Sequence, residues 1–142
     1  NLRHDGYKKA LADAGLIFEK DNMIFLSLDK QDRFKTYERL YTTQKDFTAL
    51  FFLADYYAAE AISFFQKNDI QIPEIFSVVG FDDNIYAKIV HPNITSVHQN
   101  TFERGKVAVD MLLKLIKGDS VEKNNLKMDI TLKLRDSVKK IS

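Results

Sequence analysis

The apolar positions of this chain alternate between helical spacing and short continuous runs. Residues 4–14 and 56–68 carry apolar side chains three and four positions apart, which places them on one face of an α-helix. The runs at 23–29, 48–55 and 75–82 are almost continuously apolar, and each ends in an aspartate. Strands that are apolar on both faces and separated by helices form a parallel sheet that helices cover on both faces. The pattern therefore predicts an α/β fold. One more helical stripe follows the first run and consists of Phe34, Tyr37, Leu40 and Tyr41.

The pattern changes after the third strand–helix unit. Pro92 and Asn93 interrupt the chain before a short apolar strand at 94–99, and a helix follows from about residue 101 to 117. Gly118 is the residue at which we expect this helix to stop. In the last segment Ile130, Leu132 and Leu134 alternate with polar residues, a pattern that predicts a half-exposed strand at a sheet edge.

The composition narrows the class of protein. A chain of 142 residues with 45% hydrophobic side chains can form one globular domain with a sizeable core. With 21 basic and 20 acidic side chains, the net charge of +1 offers no basic field for nucleic acid phosphates. The absence of cysteine fits a reducing cytosol, and no apolar run approaches the roughly 20 residues of a membrane helix. We expect a cytoplasmic protein with no membrane contact, and the chain begins without methionine, as part of a longer protein would.

Three aspartates stand at the carboxyl ends of the predicted strands. In an open parallel sheet this edge is where ligands bind, so Asp29, Asp55 and Asp82 are candidate ligand contacts. Ionised carboxylates only accept hydrogen bonds, and several of them suit a hydroxyl-rich ligand such as a sugar. The alternative is that an aspartate directly before a helix caps it. We expect the Asp83 side chain to point away from Asp82, so that the two carboxylates form no acid–base dyad. Asp83 is expected instead to cap a short helix formed by residues 84–89.

Other chemistries have little support in the sequence. The three histidines lie in separate elements and no cysteine is present, so we predict no metal site. The five glycines form no dinucleotide-binding or phosphate-binding loop, and no serine lies in a nucleophile elbow. We therefore predict a protein without cofactors that is not an enzyme.

Several motifs, in order, resemble those of a known family. They are "RHDGYKKALADAGL", "TALFFLAD", "IPEIFSVVGFDD", "PNITSVHQ" and "RDS", and together they cover nearly the whole chain. The chain resembles the effector-binding half of a regulator of the lactose/galactose-repressor family. The resemblance implies a two-lobed, Rossmann-like fold like that of periplasmic sugar-binding proteins, with an effector in the cleft between the lobes. It also implies a homodimer that binds operator DNA through an N-terminal helix-turn-helix.

The resemblance also assigns parts of the chain to lobes. Residues 1–142 match part of the effector-binding domain, mostly its second lobe, and contain no helix-turn-helix. Residues 100–118 match a helix that packs on the first lobe. We therefore expect much of that first lobe, and the DNA-binding domain, to lie outside this chain.

The same resemblance suggests individual effector contacts. Arg3 matches an arginine that grips effector hydroxyls or carboxylates, and Asp82 matches an aspartate that binds sugar hydroxyls. Asp55 matches the end of a family pair, although Ala54 stands where sugar-binding members often have asparagine. Gln99 lies on the strand that borders the cleft. Each has an alternative: Arg3 could face solvent, Asp55 could cap a helix, and Gln99 could bond to backbone at a hinge.

An aromatic side chain for stacking on the effector could come from residues 29–34. Phe34 is the nearest choice, although it also begins the apolar stripe of its helix. Together these features favour a ligand sensor of a bacterial transcriptional repressor that binds a carbohydrate. The alternative is a sugar-binding receptor of a transport system with the same fold.

The helix after Asp55 also predicts self-association. Tyr57, Phe64 and the small Ala59 remain without a core when the opposite face packs on the sheet. Ile89 and Val90 could extend this surface, and a symmetric dimer would bury it against its own copy. Cover from other helices of the same lobe is the alternative. The resemblance points to the dimer as well.

Overall fold

A computed structural model of the protein describes residues 2–43, 47–121 and 125–140. The chain divides into two compact units, residues 1–46 and residues 47–142. Among the described residues, the regular elements of the first unit are helices, and the second unit contains the sheet and three helices.

The first unit contains helix α1 (Leu2–Asp13), a single 3-10 turn (Lys20–Asn22) and helix α2 (Lys30–Thr42). Helix α2 begins where the Asp29 carboxylate accepts a hydrogen bond of 3.0 Å from the backbone N–H of Asp32. Asp29 is therefore a helix cap, which confirms the simpler of its two interpretations. The buried side chains of α2 are Arg33, Tyr37 and Leu40.

The predicted strand at 23–29 is not present in the structure. Residues 23–28 form no regular element, and Phe25 and Leu28 are 83% and 92% exposed. The Arg33 guanidinium donates hydrogen bonds to the backbone carbonyl oxygens of Ser27 and Leu28. The strand prediction is wrong because an apolar run becomes a strand only where another strand pairs with its backbone.

The second unit is built on a four-stranded sheet. Its strands are β1 (Ala49–Phe51), β2 (Ser77–Asp82), β3 (Thr95–Gln99) and β4 (Ile130–Lys133), in the spatial order β1-β2-β3-β4. The first three are parallel, and β4 pairs antiparallel with β3. The α/β prediction is confirmed, with a mixed rather than a purely parallel sheet. Strand β4 lies at the predicted edge, but all four of its residues are exposed.

Helix α3 (Asp55–Lys67) contacts β2 and the short helix α4 (Tyr86–Ile89). Ala58, Ala61, Ile62 and Phe65 form its buried face, as the helical spacing predicts. The remaining core of the second unit consists of Phe52, Ile72, Phe76, Val78, Ala87 and Ile94.

Helix α5 (Thr101–Ile116) is capped by Asn100, whose side chain accepts from the Glu103 N–H at 3.0 Å. The chain leaves it through Gly118, whose φ of 80° is the left-handed conformation expected of a helix stop. No residue of α5 is buried, and its apolar stripe of Val109, Leu112, Leu115 and Ile116 is exposed, up to 72% at Ile116. Periodicity shows which side chains share a face, but it does not show what covers that face. No helix in the described part of the chain is long and apolar enough to cross a membrane.

Candidate functional site

The carboxyl ends of β2 and β3 lie side by side in the second unit. Parallel pairing places Asp82 opposite His98 at the last register position, so the residues around both strand ends converge. This edge is where the strand-end rule expects a ligand site in an open parallel sheet. The structure brings together four side chains there: Asp82, Asp83, His98 and Gln99.

Asp82 and Gln99 form the partly exposed half of this cluster. The Gln99 amide nitrogen Nε2 donates to Asp82 Oδ1 at 2.9 Å. Gln99 Oε1 in turn accepts a hydrogen bond from the guanidinium of Arg104, in the first turn of α5. The amide therefore lies between a carboxylate and a cation, and each of its two ends has a partner of the correct polarity. Asp82 and Gln99, two of the predicted effector contacts, are neighbours in the structure.

Asp83 forms the buried half of the cluster. Its Oδ1 pairs with the Arg135 guanidinium at 2.5 Å, and its Oδ2 lies 2.9 Å from His98 Nδ1. Its backbone N–H donates to the Ser96 hydroxyl at 3.1 Å. Burial acts to raise the pKa of Asp83, but the hydrogen bond and charge of Arg135, helped by His98, outweigh it and lower that pKa.

The prediction that Asp83 caps the short helix is wrong. No side chain caps α4 at Ile85, and Asn84 Oδ1 instead accepts from the Tyr86 N–H at 2.9 Å. The backbone at this point is not extended, because Asp82 and Asp83 have φ values of 103° and 52°. Two successive residues with positive φ change the direction of the chain, and Asp83 pairs with Arg135 and His98 instead.

Asp55 is fully buried at the start of α3. Its Oδ1 accepts from the Ser96 hydroxyl at 2.6 Å, and its Oδ2 accepts from the Asn84 N–H at 2.9 Å. Burial raises the pKa of Asp55, against these two hydrogen bonds, and the charges of Asp82 and Asp83 raise it further. Ala54, not Asp55, occupies the capping position, so the side chain is not a helix cap. Asp55 ties α3 to β3 and to the loop after β2, and its effector role stays a prediction.

The sequence reasoning assigned no role to several residues of this network. Arg135 also donates to the carbonyl of Ile94, and the buried Ser137 hydroxyl donates to the carbonyl of Val78 and accepts from the Thr95 N–H. The tripeptide "RDS" was visible as a family motif, but no local signal connects it to β2 and β3. Ser137 and Val78 are separated by 59 positions in the chain.

Two other predicted effector contacts belong to the first unit. Arg3 lies in the first turn of α1 and is half-buried. Phe34 lies inside α2 rather than in a loop, with its ring centroid 6.3 Å from that of Tyr37 and 5.3 Å from Lys30 Nζ. The roles of both residues stay predictions.

The predicted dimer residues lie on α3, on α4 and directly after α4. Ile89 is 67% exposed, whereas Tyr57, Phe64 and Val90 are half-buried. An aromatic contact joins the two helices, because the rings of Tyr56 and Tyr86 meet edge to face at 5.3 Å. Their self-association also stays a prediction.

A groove of about 660 Å³ begins at this network and runs between α5 and residues 125–130. Its polar side chains are those of Gln99, Thr101, Arg104, Asn125 and Asp129. Its apolar side chains include Met111, Leu126 and Met128. The groove therefore shares Gln99 and Arg104 with the network at the strand ends.

The network supplies the chemistry of binding. Asp82 offers an acceptor, Gln99 offers an oriented amide, and Arg104 offers a forked donor, which together suit a polar ligand with several hydroxyls. Within the described ranges, no group of three or more histidine and acidic side chains could hold a metal ion.

Comparison with known proteins identifies the family. The model of the periplasmic binding protein-like domain matches residues 1–138. The chain belongs to this family. Its relatives include the transcriptional regulator RegA of Clostridium saccharobutylicum, 31% identical over 135 residues, and the transcriptional repressor PurR of Haemophilus influenzae, 32% identical over 143 residues. These are regulators of the lactose/galactose-repressor family, which confirms the resemblance.

The solved structures agree with the sequence relatives. The complex of the transcriptional regulator CelR with cellobiose superposes with a TM-score of 0.83 at 27% identity, over 95% of this chain and 41% of that one. The matches to RegA and PurR cover 95% and 98% of this chain, but only 41% and 42% of those regulators. The chain thus spans about two fifths of the proteins that it matches.

Proposed function

We propose that this chain is a ligand-sensing part of a bacterial transcriptional repressor, and that it binds a carbohydrate effector at the carboxyl ends of β2 and β3. The observation that carries the proposal is the partly exposed Asp82, which Gln99 orients at this edge. The family membership and the cellobiose complex of CelR support it. The protein acts in the cytoplasm as a sensor, not as an enzyme.

In this mechanism Asp82 accepts hydrogen bonds from effector hydroxyls. The Gln99 amide already occupies one direction at Asp82 Oδ1, so the carboxylate is oriented before the ligand arrives. Asp55 and Asp83 support the site from inside through Ser96, which donates to one and accepts from the backbone of the other. The effector changes DNA binding only if it binds one conformation of the repressor more tightly than the other.

Operator binding and dimerisation complete the proposal. The DNA contact belongs to an N-terminal helix-turn-helix domain, as the names of the relatives suggest. The homodimer forms through the surface that Tyr57, Phe64, Ile89 and Val90 contribute. The transport-receptor alternative has less support, because the matched relatives are regulators.

The test is Asp82→Ala in the full-length protein, with Asp119→Ala, at an exposed position after α5, as the matched control. A thermal-shift screen of neutral sugars and their phosphates first finds a ligand, and calorimetry then measures its dissociation constant. Loss of a charged acceptor should weaken binding by about 1.5–3 kcal/mol. The control should bind like the parent. A folded Asp82→Ala protein with the parent's affinity would show that the effector does not contact Asp82.

A further inference from the structure

Arg104 differs from Arg135, the other arginine of the second unit, in the partners of its guanidinium. Arg135 uses its guanidinium inside the fold, on Asp83 and on the Ile94 carbonyl. Arg104 is exposed, and its side chain donates to Gln99 Oε1. Among the described residues it forms no ion pair, although Asp129 lines the same groove. The bond to Gln99 uses one of its five N–H donors, and within the described residues the guanidinium forms no other hydrogen bond.

The position of Arg104 is set by the same amide that orients Asp82. Gln99 donates to the carboxylate with one end and accepts from the guanidinium with the other. The cation and the acceptor are thereby held one amide apart, and Gln99 and Arg104 also line the groove. A ligand that covers Gln99 would meet a carboxylate on one side and a guanidinium on the other.

We propose that the effector is an anionic sugar, in which Asp82 accepts from the hydroxyls and Arg104 binds a phosphate or carboxylate group. This inference rests on the proposed function, because it specifies the ligand of the same site. A planar guanidinium matches both oxygens of a carboxylate or phosphate with two parallel N–H donors. Thr101, one turn before Arg104 on the same face of α5, adds a hydroxyl to the polar part of the groove.

Charge also favours a ligand that carries both kinds of group. A neutral sugar would leave the Arg104 cation without a counter-charge, and an anion without hydroxyls would face Asp82 with nothing to donate. The combination of hydroxyls with one anionic group satisfies both residues. In such a ligand, the anionic group is separated from the hydroxyls that bind Asp82 by about the width of the Gln99 amide.

The experiment compares matched ligands on the full-length protein by calorimetry. The probes are glucose, glucose 6-phosphate and glucuronate, with ribose and ribose 5-phosphate as a second series and inorganic phosphate alone. We expect one anionic sugar to bind at least about 10-fold more tightly than its neutral parent, since a charged hydrogen bond has that effect on a dissociation constant. The phosphate and carboxylate probes show which anion is preferred.

Variants then assign the preference to Arg104. Arg104→Gln should weaken binding of the anionic sugar by about 10- to 100-fold, with little effect on the neutral sugar. Arg104→Lys keeps the charge and should retain part of the preference. Asp82→Asn should weaken both ligands. The preference of the parent should also fall as salt is raised.

The outcomes separate this inference from the proposed function. If a neutral sugar binds through Asp82 and Arg104→Gln has no effect on any ligand, the anionic effector is refuted and the sugar sensor stands. Inorganic phosphate that binds as tightly as the sugar phosphate would also refute it, because Arg104 would then hold a free anion. If no sugar or sugar phosphate of the thermal-shift screen binds at millimolar concentration, both the sugar sensor and the anionic sugar are refuted.

Discussion

Gly80 is the residue whose substitution tests the internal support of the site most directly. It lies on β2 opposite Ser96 of β3, and it is buried. The Asp55 carboxylate reaches Ser96 through the space beside Gly80. A Cβ added at Gly80 would lie well within 3.0 Å of Asp55 Oδ1 and 3.2 Å from Ile94 Cγ2. We therefore expect Gly80→Ala to displace the Asp55 carboxylate.

The magnitude follows from the contacts that the displacement breaks. The hydrogen bond from Ser96 to the ionised Asp55 contributes about 1.5–3 kcal/mol, and overpacking of a tight interior costs about 1–3 kcal/mol. Together these lower the free energy of unfolding by roughly 2.5–6 kcal/mol. The Asp55 carboxylate accepts hydrogen bonds from the Ser96 hydroxyl and from the Asn84 backbone N–H. A displaced carboxylate cannot keep both of these hydrogen bonds.

Urea unfolding of the full-length protein, followed by circular dichroism, measures the change. Gly6→Ala is the matched control, since Gly6 lies at an exposed position of helix α1 with nothing within 4 Å of an added Cβ. In a helix this change should stabilise by about 0.5–1 kcal/mol.

A double-mutant cycle with Asp55→Ala identifies the cause. In the Asp55→Ala background, Gly80→Ala should cost much less, because the atoms that it displaces are gone. An unchanged cost in that background would show that the clash is not with Asp55. A Gly80→Ala protein that unfolds at the parent's urea concentration would refute the reasoning altogether.

Three further predictions concern other parts of the chain. The lowered pKa of Asp83 means that its ion pair with Arg135 stabilises the fold above the ordinary carboxyl pKa and is lost as the pH falls through the lowered value. Arg135→Met should therefore shift acid unfolding to higher pH, and an unshifted midpoint would contradict the pairing. Asp29→Ala removes the cap of α2 and should destabilise by about 1 kcal/mol in urea unfolding, whereas no change would mean that the cap has no effect on stability. Phe64→Glu combined with Val90→Glu should give a folded monomer in ultracentrifugation, and a persisting dimer would place the interface elsewhere.

Local sequence determined the strand and helix order of the second unit. The runs at 48–55, 75–82 and 94–99 each contain a strand, because continuous apolar side chains suit a sheet that is covered on both faces. The buried face of α3 also follows from its spacing. The position of Asp82 beside Gln99 could also be predicted, because neighbouring parallel strands end at the same edge of a sheet.

The partners of the buried carboxylates were decided by the tertiary structure. Asp83 was expected to cap a neighbouring helix, but its charge is balanced by Arg135, which is 52 positions away in the chain. Asp55 was considered as a ligand contact or a cap, whereas Ser96 and Asn84 take both of its oxygens in a fully buried position. The run at 23–29 has the composition of a strand but no strand to pair with.

These differences share a physical cause. Periodicity and strand ends are short-range properties, because they depend on the backbone geometry of a few consecutive residues. The desolvation of a carboxylate and the pairing of a strand depend on groups brought from distant parts of the chain. The sequence therefore predicted that Asp82 stands beside Gln99, and only the fold determined that Arg104 binds Gln99 while Asp55 and Asp83 are held inside.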